Sequence, residues 1–268
     1  MSRRLKVLCF VLAIFAMGAL AASCGSGNAQ YRFVNTITNP FGPQFNVDIY
    51  VNTSPSGTGT PTPTFSNVAP GFVEPGSSGY DKLSAGTDPT EVFQTTQTTG
   101  AWINTALNLS DSTDYTIVLA GNNSASGSTY PYAAQVVTDT NPTPNSGQLE
   151  FRVLDAALSP AVQRGVPSVD VYIVDPQFGC CPSGAKVGSG LSYPSSNSAG
   201  NFNSNYQNVG LPTSGNLTVY VVPAGSTNPG SVVGTSSPID VSAGTLHTVV
   251  LMDSPGGNSP VQFVFLTP

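Results

Sequence analysis

Hydrophobic and polar residues alternate along several short segments of the chain, which predicts β-strands. The clearest segment is 46–51, where Val47, Ile49 and Val51 share one face. Similar runs predict further strands at 31–35, 91–95, 102–109, 115–120, 133–138, 150–154, 169–174, 217–222, 248–252 and 261–266. Residues 24–268 contain no helical period of useful length. The pattern therefore predicts an all-β protein built from β-sandwiches.

The pattern also repeats within the chain. VDIYV at 47–51 matches VDVYI at 169–173, and RFVN at 32–35 matches RVLD at 152–155. FSNV at 65–68 matches YQNV at 206–209, and YTIVL at 115–119 matches HTVVL at 247–251. The equivalent arginines are 152 − 32 = 120 residues apart, which is the size of a domain. We expect two tandem domains, at 30–140 and 147–268, joined by the proline-containing linker 141–146.

The second copy is longer than the first. From the repeated aspartate to the asparagine of FSNV or YQNV, the spacing is 67 − 48 = 19 residues in the first copy and 208 − 170 = 38 in the second. This difference predicts an insertion at 176–205, within which Cys180 and Cys181 lie among Gly, Ser and Asn residues.

The first 23 residues have the features of a secretory signal peptide: a basic start, an apolar run at 7–20 and small residues at 21–23. Cys24 follows directly, and the junction resembles the lipobox of bacterial lipoproteins, except that Ala21 stands where the family prefers Leu, Ile or Val. The resemblance implies that Cys24 is acylated, for example with palmitate, and that residues 24–29 tether the protein to a membrane. Because no Asp follows Cys24, the resemblance favours a location at the outer membrane or cell surface. An ordinary signal peptide cut nearby is the alternative.

Charge limits the partners of the exported chain. Loss of the signal peptide removes three of eight basic residues and none of the fourteen acidic ones, so the net charge becomes 5 − 14 = −9. Such a chain repels phosphate backbones, and we expect no nucleic-acid partner.

The repeated motifs resemble the bacterial domain-of-unknown-function family 4397. Its pattern is an Arg-hydrophobic-hydrophobic-Asn/Asp segment, a proline-containing loop, a Val-Asp-Val/Ile-Tyr strand and a late hydrophobic strand. The resemblance implies immunoglobulin-like β-sandwiches, frequent tandem copies and export or lipid anchoring. It implies no established activity and no catalytic residues.

Two sets of repeated or paired residues are candidates for a specific role. We expect Arg32 to pair with Asp48, and Arg152 with Asp170, as structural cross-strand ion pairs. The alternative is an acidic ligand site in each domain. Cys180 and Cys181 form a vicinal disulfide, an intermolecular bond or free thiols, since exported proteins meet oxidising conditions.

Residue types for catalysis and metal binding are scarce. His247 is the only histidine, it aligns with Tyr115, and the chain has no Gly-x-Ser-x-Gly motif. We therefore expect no enzyme, metal or cofactor. The hypothesis is a lipid-anchored, non-catalytic envelope protein that binds a glycan or protein or acts as a spacer.

Two alternatives belong to other functional classes. One is a carbohydrate-active or peptidoglycan-directed hydrolase that uses Asp175 with Asp170 or Asp253. The other is an adhesion or assembly module that pairs through sheet edges. Exposed aromatic rings are a further sign of binding; the candidates are Tyr130, Tyr132, Tyr193 and Tyr206, whereas Trp102 is assigned to the core.

Overall fold

Eighteen strands form in the part of the chain that the structure, a computed structural model, describes: residues 27–38, 44–55, 61–121, 132–158, 165–181, 184–192, 203–254 and 261–268. The strands of the first half are β1 (Asn28–Asn35), β2 (Val47–Val51), β3 (Phe65–Val68), β4 (Val73–Glu74), β5 (Asp81–Ser84), β6 (Gly86–Gln94), β7 (Ile103–Leu109), β8 (Asp114–Ala120) and β9 (Ala133–Asp139). Those of the second half are β10 (Gln148–Asp155), β11 (Val169–Val174), β12 (Ala185–Leu191), β13 (Asn203–Gly210), β14 (Asn216–Pro223), β15 (Gly234–Thr235), β16 (Ile239–Asp240), β17 (Leu246–Asp253) and β18 (Val261–Leu266). The predicted all-β class is confirmed. The signal peptide and Cys24 lie outside the described residues.

The strands form four sheets, two in each half. Sheet 1 has the order β3-β2-β6-β7, and sheet 2 has the order β4-β1-β8-β9, with β5 also paired to β1. Sheet 3 has the order β13-β10-β17-β18, and sheet 4 has the order β12-β11-β14-β15, with β16 also paired to β14. No helix among the described residues has the length and apolar character to cross a membrane.

Three apolar layers hold the sheets together in the order 1, 2, 3, 4. The first lies between sheets 1 and 2 and the last between sheets 3 and 4, as expected for two β-sandwiches. The middle layer joins sheets 2 and 3; it consists of Val34, Val118, Ala120, Val137, Leu154, Ala156, Val250, Met252, Val264 and Leu266. Sheets 2 and 3 are therefore covered on both faces. This explains why β1 and β10 are buried along most of their length, although strand side chains alternate between faces.

Each half contains one parallel strand pair with the same register. Arg32 on β1 lies opposite Thr116 on β8, and Arg152 on β10 lies opposite Thr248 on β17. The predicted equivalence of 115–119 with 247–251 is therefore confirmed at the level of hydrogen bonding. The parallel pair departs from the two antiparallel sheets of an immunoglobulin domain.

One predicted equivalence is wrong, and with it the predicted insertion. Residues 65–68 (β3) pair with β2, the first VDVY-type strand, whereas residues 206–209 belong to β13, which pairs with β10. The strand that pairs with β11, the second VDVY-type strand, is β12. The predicted insertion 176–205 thus contains the counterpart of β3. The two segments share only Asn and Val. This short identity aligned two strands that pair with different neighbours and do not occupy equivalent sheets.

Candidate binding site

The repeated aspartates hold backbone N–H groups in the segments on either side of their strands. Asp48 Oδ1 accepts hydrogen bonds from the Asn67 N–H at 2.7 Å and the Thr95 hydroxyl at 3.1 Å, and Oδ2 accepts one from the Thr96 N–H at 3.4 Å. Asn67 and Thr96 have φ values of 58° and 75°, where the chain departs from regular strand geometry. The register between β2 and β3 shifts at this point.

The second half repeats this arrangement with glycines. Asp170 Oδ1 accepts from the Gly190 N–H at 2.8 Å, and Oδ2 accepts from the Gly225 N–H at 3.0 Å and from Lys186 Nζ at 2.7 Å. Both glycines have left-handed φ values, 60° and 79°. Burial opposes ionisation of Asp170, but these hydrogen bonds outweigh it and the pKa of Asp170 is lowered. The aspartate of each half therefore fixes an irregularity on both sides of its strand.

The predicted pairing of Arg32 with Asp48, and of Arg152 with Asp170, is wrong. Each arginine lies in sheet 2 or 3, and each aspartate lies in sheet 1 or 4. The arginine side chains point into the middle layer, where they are fully buried at 1% and 0% exposure. The sandwich core therefore separates each arginine from its predicted partner.

Both arginines instead meet Asp139, the last residue of β9. Arg152 Nη2 donates to Asp139 Oδ1, and Arg32 Nη2 lies 3.6 Å from Oδ2. Tyr80 also donates to Oδ2, at 2.6 Å. Burial lowers the pKa of Arg32, and the Arg152 charge lowers it further, while Tyr80 and Asp139 act in the opposite direction. Asp139 has no counterpart among the sequence repeats, so no motif indicated its role.

Further contacts complete this buried cluster. Each guanidinium donates through Nε to the threonine opposite it, Arg32 to Thr116 at 3.0 Å and Arg152 to Thr248 at 2.7 Å. Arg32 lies over the Tyr80 ring and Arg152 over the Tyr206 ring, at 4.6 and 4.9 Å from the centroids. Tyr206, a predicted exposed aromatic, is thus part of the contact between the halves.

Cys180 and Cys181 are joined in a disulfide, which is the first of the three predicted alternatives. Cys181 is 1% exposed and packs with Tyr172, Val174 and Val222 on the outer face of sheet 4. The packing of Cys181 therefore attaches the loop that follows β11 to the sheet below it, and the disulfide links the two adjacent residues of this loop.

A cavity of about 370 Å³ opens at one end of the second sandwich. Its floor includes Ile173 on β11 and Leu217 on β14, both in sheet 4, and Val209 on β13 in sheet 3. Phe178 and Leu211 line its mouth and are 67% and 44% exposed. Concave, mainly apolar cavities of this size are typical of ligand sites.

Asp175 supplies the negative charge at the cavity. Its carboxylate accepts hydrogen bonds from the Gln177 N–H at 3.1 Å and the Ser214 hydroxyl at 3.0 Å, both at Oδ1. Oδ2 has a longer contact of 3.5 Å with the Thr213 hydroxyl. The Gln177 bond, with help from Ser214 and Thr213, lowers the pKa of Asp175. Asp175 was predicted as one carboxylate of a catalytic pair, and no sequence pattern indicated the apolar site beside it.

The carboxylates proposed for a hydrolase do not form a pair. Asp170 and Asp175 lie at opposite ends of β11, about 16 Å apart at the usual rise per residue. Asp253 is buried on the other side of sheet 3, where Thr38 of the first half donates to it at 3.4 Å. No group of three or more His, Cys, Asp or Glu side chains suited to a metal ion occurs within the described ranges.

The remaining candidates have packing roles or lie outside the described residues. His247 is 9% exposed and stacks on Phe151 at 5.0 Å, and burial lowers its pKa. Trp102 packs against the first core, as predicted, and Tyr132 stacks on it at 4.9 Å. Tyr130 and Tyr193 lie outside the described residues.

Comparison with solved structures finds matches of low sequence identity and low TM-score. A family 41 carbohydrate-binding module from streptococcal virulence factors, associated with α-glucan recognition, is 10% identical with a TM-score of 0.24, over 87% of this chain and 98% of the module. A candidate cell adhesion protein from Bacteroides fragilis is 12% identical with a TM-score of 0.20, over 91% of this chain and 97% of that protein. These TM-scores are too low to support a functional conclusion. No curated protein matches the chain significantly.

Family comparison gives a direct assignment. The profile described as "Domain of unknown function (DUF4397)" matches residues 29–165, which include the whole first half and β10. The matched segment contains Arg32, Asp48 and Asp139 together with Arg152. The chain belongs to the DUF4397 family.

Proposed function

We propose that this protein is a non-catalytic binding protein of the bacterial cell envelope. Two tandem domains of the family form a rigid unit, and a ligand binds at the open end of the second sandwich. The observation that carries the proposal is the cavity whose mouth is lined by Phe178 and Leu211. Exported chains keep exposed apolar side chains together mainly where another molecule covers them.

The loop that carries Phe178 is fixed before any ligand arrives. The Phe178 N–H donates to the Asp175 carbonyl at 2.9 Å, which closes a turn at the end of β11. Cys181 follows three residues later, and its buried side chain anchors the loop on sheet 4. A site that is already ordered loses little conformational entropy on binding, so the energy of contact is available for affinity.

The position in the envelope follows from the N-terminal sequence. Acylation at Cys24 after removal of residues 1–23 would attach the protein to a membrane, and the contact between the halves would make it a spacer that presents the cavity outward. Mass spectrometry of the membrane-extracted protein tests this: we expect acyl groups on Cys24 and release of the protein into the medium by Cys24→Ser. An unmodified Cys24 would remove the anchor from the proposal.

Binding is tested with the soluble chain 25–268, which includes every described residue. We expect it to bind material in an array of glycans and peptides or on isolated cell envelopes, and Phe178→Ser to reduce that binding about tenfold. Phe72→Ser is the matched control, because Phe72 is similarly exposed, at 63%, but lies in the first half. Equal effects of the two substitutions, or turnover of an array component, would contradict the proposal.

A further inference from the structure

We propose that the cavity of the second half receives an apolar side chain of a peptide or protein partner, next to a positively charged residue of that partner. This inference rests on the proposed function and specifies its ligand class. It follows from three features of the cavity: the apolar floor, the single carboxylate at its wall and the fixed mouth.

The apolar floor favours a hydrophobic side chain over a sugar. Sugar rings carry hydroxyl groups around their edge, and each buried hydroxyl needs a hydrogen-bond partner. Asp175 and Thr213 are the polar side chains that line the cavity, and they are in contact with each other. The floor beneath them is aliphatic. A Leu or Phe side chain would bury its surface there without leaving polar groups unpaired.

The volume also suits one large side chain. The cavity of about 370 Å³ is near the lower limit for ligand sites. Phe178 and Leu211 stand at its mouth, where they would contact the backbone on either side of an inserted residue. This is the arrangement of an anchor residue with surrounding contacts that exclude water.

Charge selects the neighbours of the inserted residue. Asp175 is the ionisable residue in the lining, and the hydrogen bonds that lower its pKa keep it negatively charged. Its Oδ2 has a long contact of 3.5 Å with the Thr213 hydroxyl and retains capacity for another donor, since an ionised carboxylate has about four acceptor sites.

The cations among the described residues do not neutralise this charge. Arg32 and Arg152 are buried between the halves, Lys186 is bound to Asp170, and Lys82 lies on β5 of the first half, so none of these four lines the cavity. The exported chain as a whole has a net charge of 5 − 14 = −9. A partner with Lys or Arg beside its apolar residue is therefore attracted, and an acidic partner is repelled.

The experiment uses three blocked tripeptides that differ in one feature each: Lys-Phe-Lys, Glu-Phe-Glu and Lys-Ala-Lys. Their binding to the chain 25–268 is followed by chemical-shift changes and titration calorimetry at low salt, with maltotriose as a neutral sugar. We expect Lys-Phe-Lys to bind at least about fivefold more tightly than each of the other peptides and more tightly than maltotriose.

Two variants connect the result to the cavity. Asp175→Asn keeps an acceptor oxygen for the turn but removes the charge, and it should reduce the preference for Lys-Phe-Lys over Glu-Phe-Glu to less than about twofold. Leu211→Ser should weaken Lys-Phe-Lys about tenfold and leave Lys-Ala-Lys almost unchanged. Phe72→Ser controls for a general effect of removing an exposed apolar residue.

The outcomes separate the ligand class from the proposed function. Maltotriose binding that depends on Leu211, without peptide binding, would overturn the ligand class and keep the binding site. Equal binding of the Lys and Glu peptides would overturn the role of Asp175. Absence of binding by all four probes would overturn the ligand class proposed here, and the array experiment would then decide whether the binding function stands.

Discussion

At the scale of the residue, Asp155 shows how one repeated position is adapted to two environments. Its counterpart is Asn35, and in both residues Oδ1 accepts the N–H two positions ahead, from Ala157 or Ile37, at 3.0 Å. Asn35 also donates to a carbonyl through Nδ2. Burial, together with the charge of Asp253, raises the pKa of Asp155 to about 7, although the hydrogen bond from the Ala157 N–H acts in the opposite direction. The protonated carboxyl of Asp155 can act as the amide does in the first half.

Asp155→Asn should therefore change how stability depends on pH. Folding raises the pKa of Asp155 from 3.8 to about 7. The contribution of its protonated carboxyl to the free energy of unfolding is therefore fully present below about pH 4 and is lost as pH rises to about 7. The loss is about 1 kcal/mol per pH unit across this window. We expect the variant to be more stable than the parent above pH 7, with the difference disappearing near pH 4.

Urea unfolding at several pH values measures this difference. Asp240→Asn, at an exposed position on β16, is the control and should change the free energy of unfolding by less than about 0.5 kcal/mol. A parent and variant with parallel pH profiles between 4 and 7 would show that Asp155 is ionised in the folded protein.

At the scale of the element, β2 and β11 each depend on one aspartate to hold their irregular neighbours. Asp48 and Asp170 accept backbone N–H groups from both flanking segments, although the residues that supply them differ. Regular strand pairing would satisfy these N–H groups with carbonyls. The side chain therefore substitutes for a backbone acceptor where the register shifts.

Asp170→Ala should destabilise the fold by about 2–4 kcal/mol, because it leaves two backbone N–H groups and the Lys186 ammonium without their acceptor. Lys186→Met separates these contributions. The Lys186 side chain is 39% exposed, so its ion pair should contribute no more than about 1 kcal/mol. Chemical unfolding of both variants provides the comparison, and equal losses would assign the effect to the ion pair.

Elements with a regular hydrophobic pattern were predictable, and those with few apolar residues were not. The pattern located β2, β8, β11 and β17, whose buried faces are rich in Val, Ile and Leu. It missed β5 and β12, which contain polar residues or glycine and remain partly exposed. Asp139 was missed because its role arises from contact between sheets that are distant in sequence.

The candidate site was only partly accessible to the same reasoning. The sequence located Cys180 and Cys181 and the loop that carries them. It could not place Leu211 near Phe178, because the two residues belong to segments on opposite sheets. A cavity between sheets depends on tertiary packing, and no local pattern indicates it.

At the scale of the whole molecule, the middle layer makes the two halves one structural unit. It combines ten buried apolar residues with the cluster around Asp139. Arg32 also donates to the Thr267 carbonyl of the second half, and Arg152 to the Thr138 carbonyl of the first. Each half therefore depends on its neighbour to cover one face of a central sheet.

Unfolding of the two halves should be coupled. Val219→Ala creates a cavity in the second core and should cost roughly 2 kcal/mol. Trp102, the only tryptophan, lies in the first half and reports its unfolding by fluorescence. We expect the substitution to lower the Trp102 transition by about 4 °C or more, together with the transition seen by circular dichroism.

Val250→Asp provides the complementary control, since it introduces a carboxylate into the middle layer. In the Val250→Asp background, Val219→Ala should lower the unfolding transition seen by circular dichroism without changing the transition seen by Trp102 fluorescence. If Val219→Ala in the otherwise unaltered chain leaves the unfolding transition of Trp102 fluorescence unchanged, the halves unfold independently.

The parallel pairing of β1 with β8 has a mechanical consequence for a protein held at its N-terminus. Six residue pairs, from Gln30–Asp114 to Asn35–Leu119, connect the first strand to the centre of sheet 2. With the membrane attachment proposed at Cys24 and a ligand at the far half, tension enters directly through β1. Force along this strand acts in shear on the hydrogen bonds between β1 and β8. These bonds therefore share the load and do not break one at a time. The strand nearest the anchor would thus act as a tension-bearing joint.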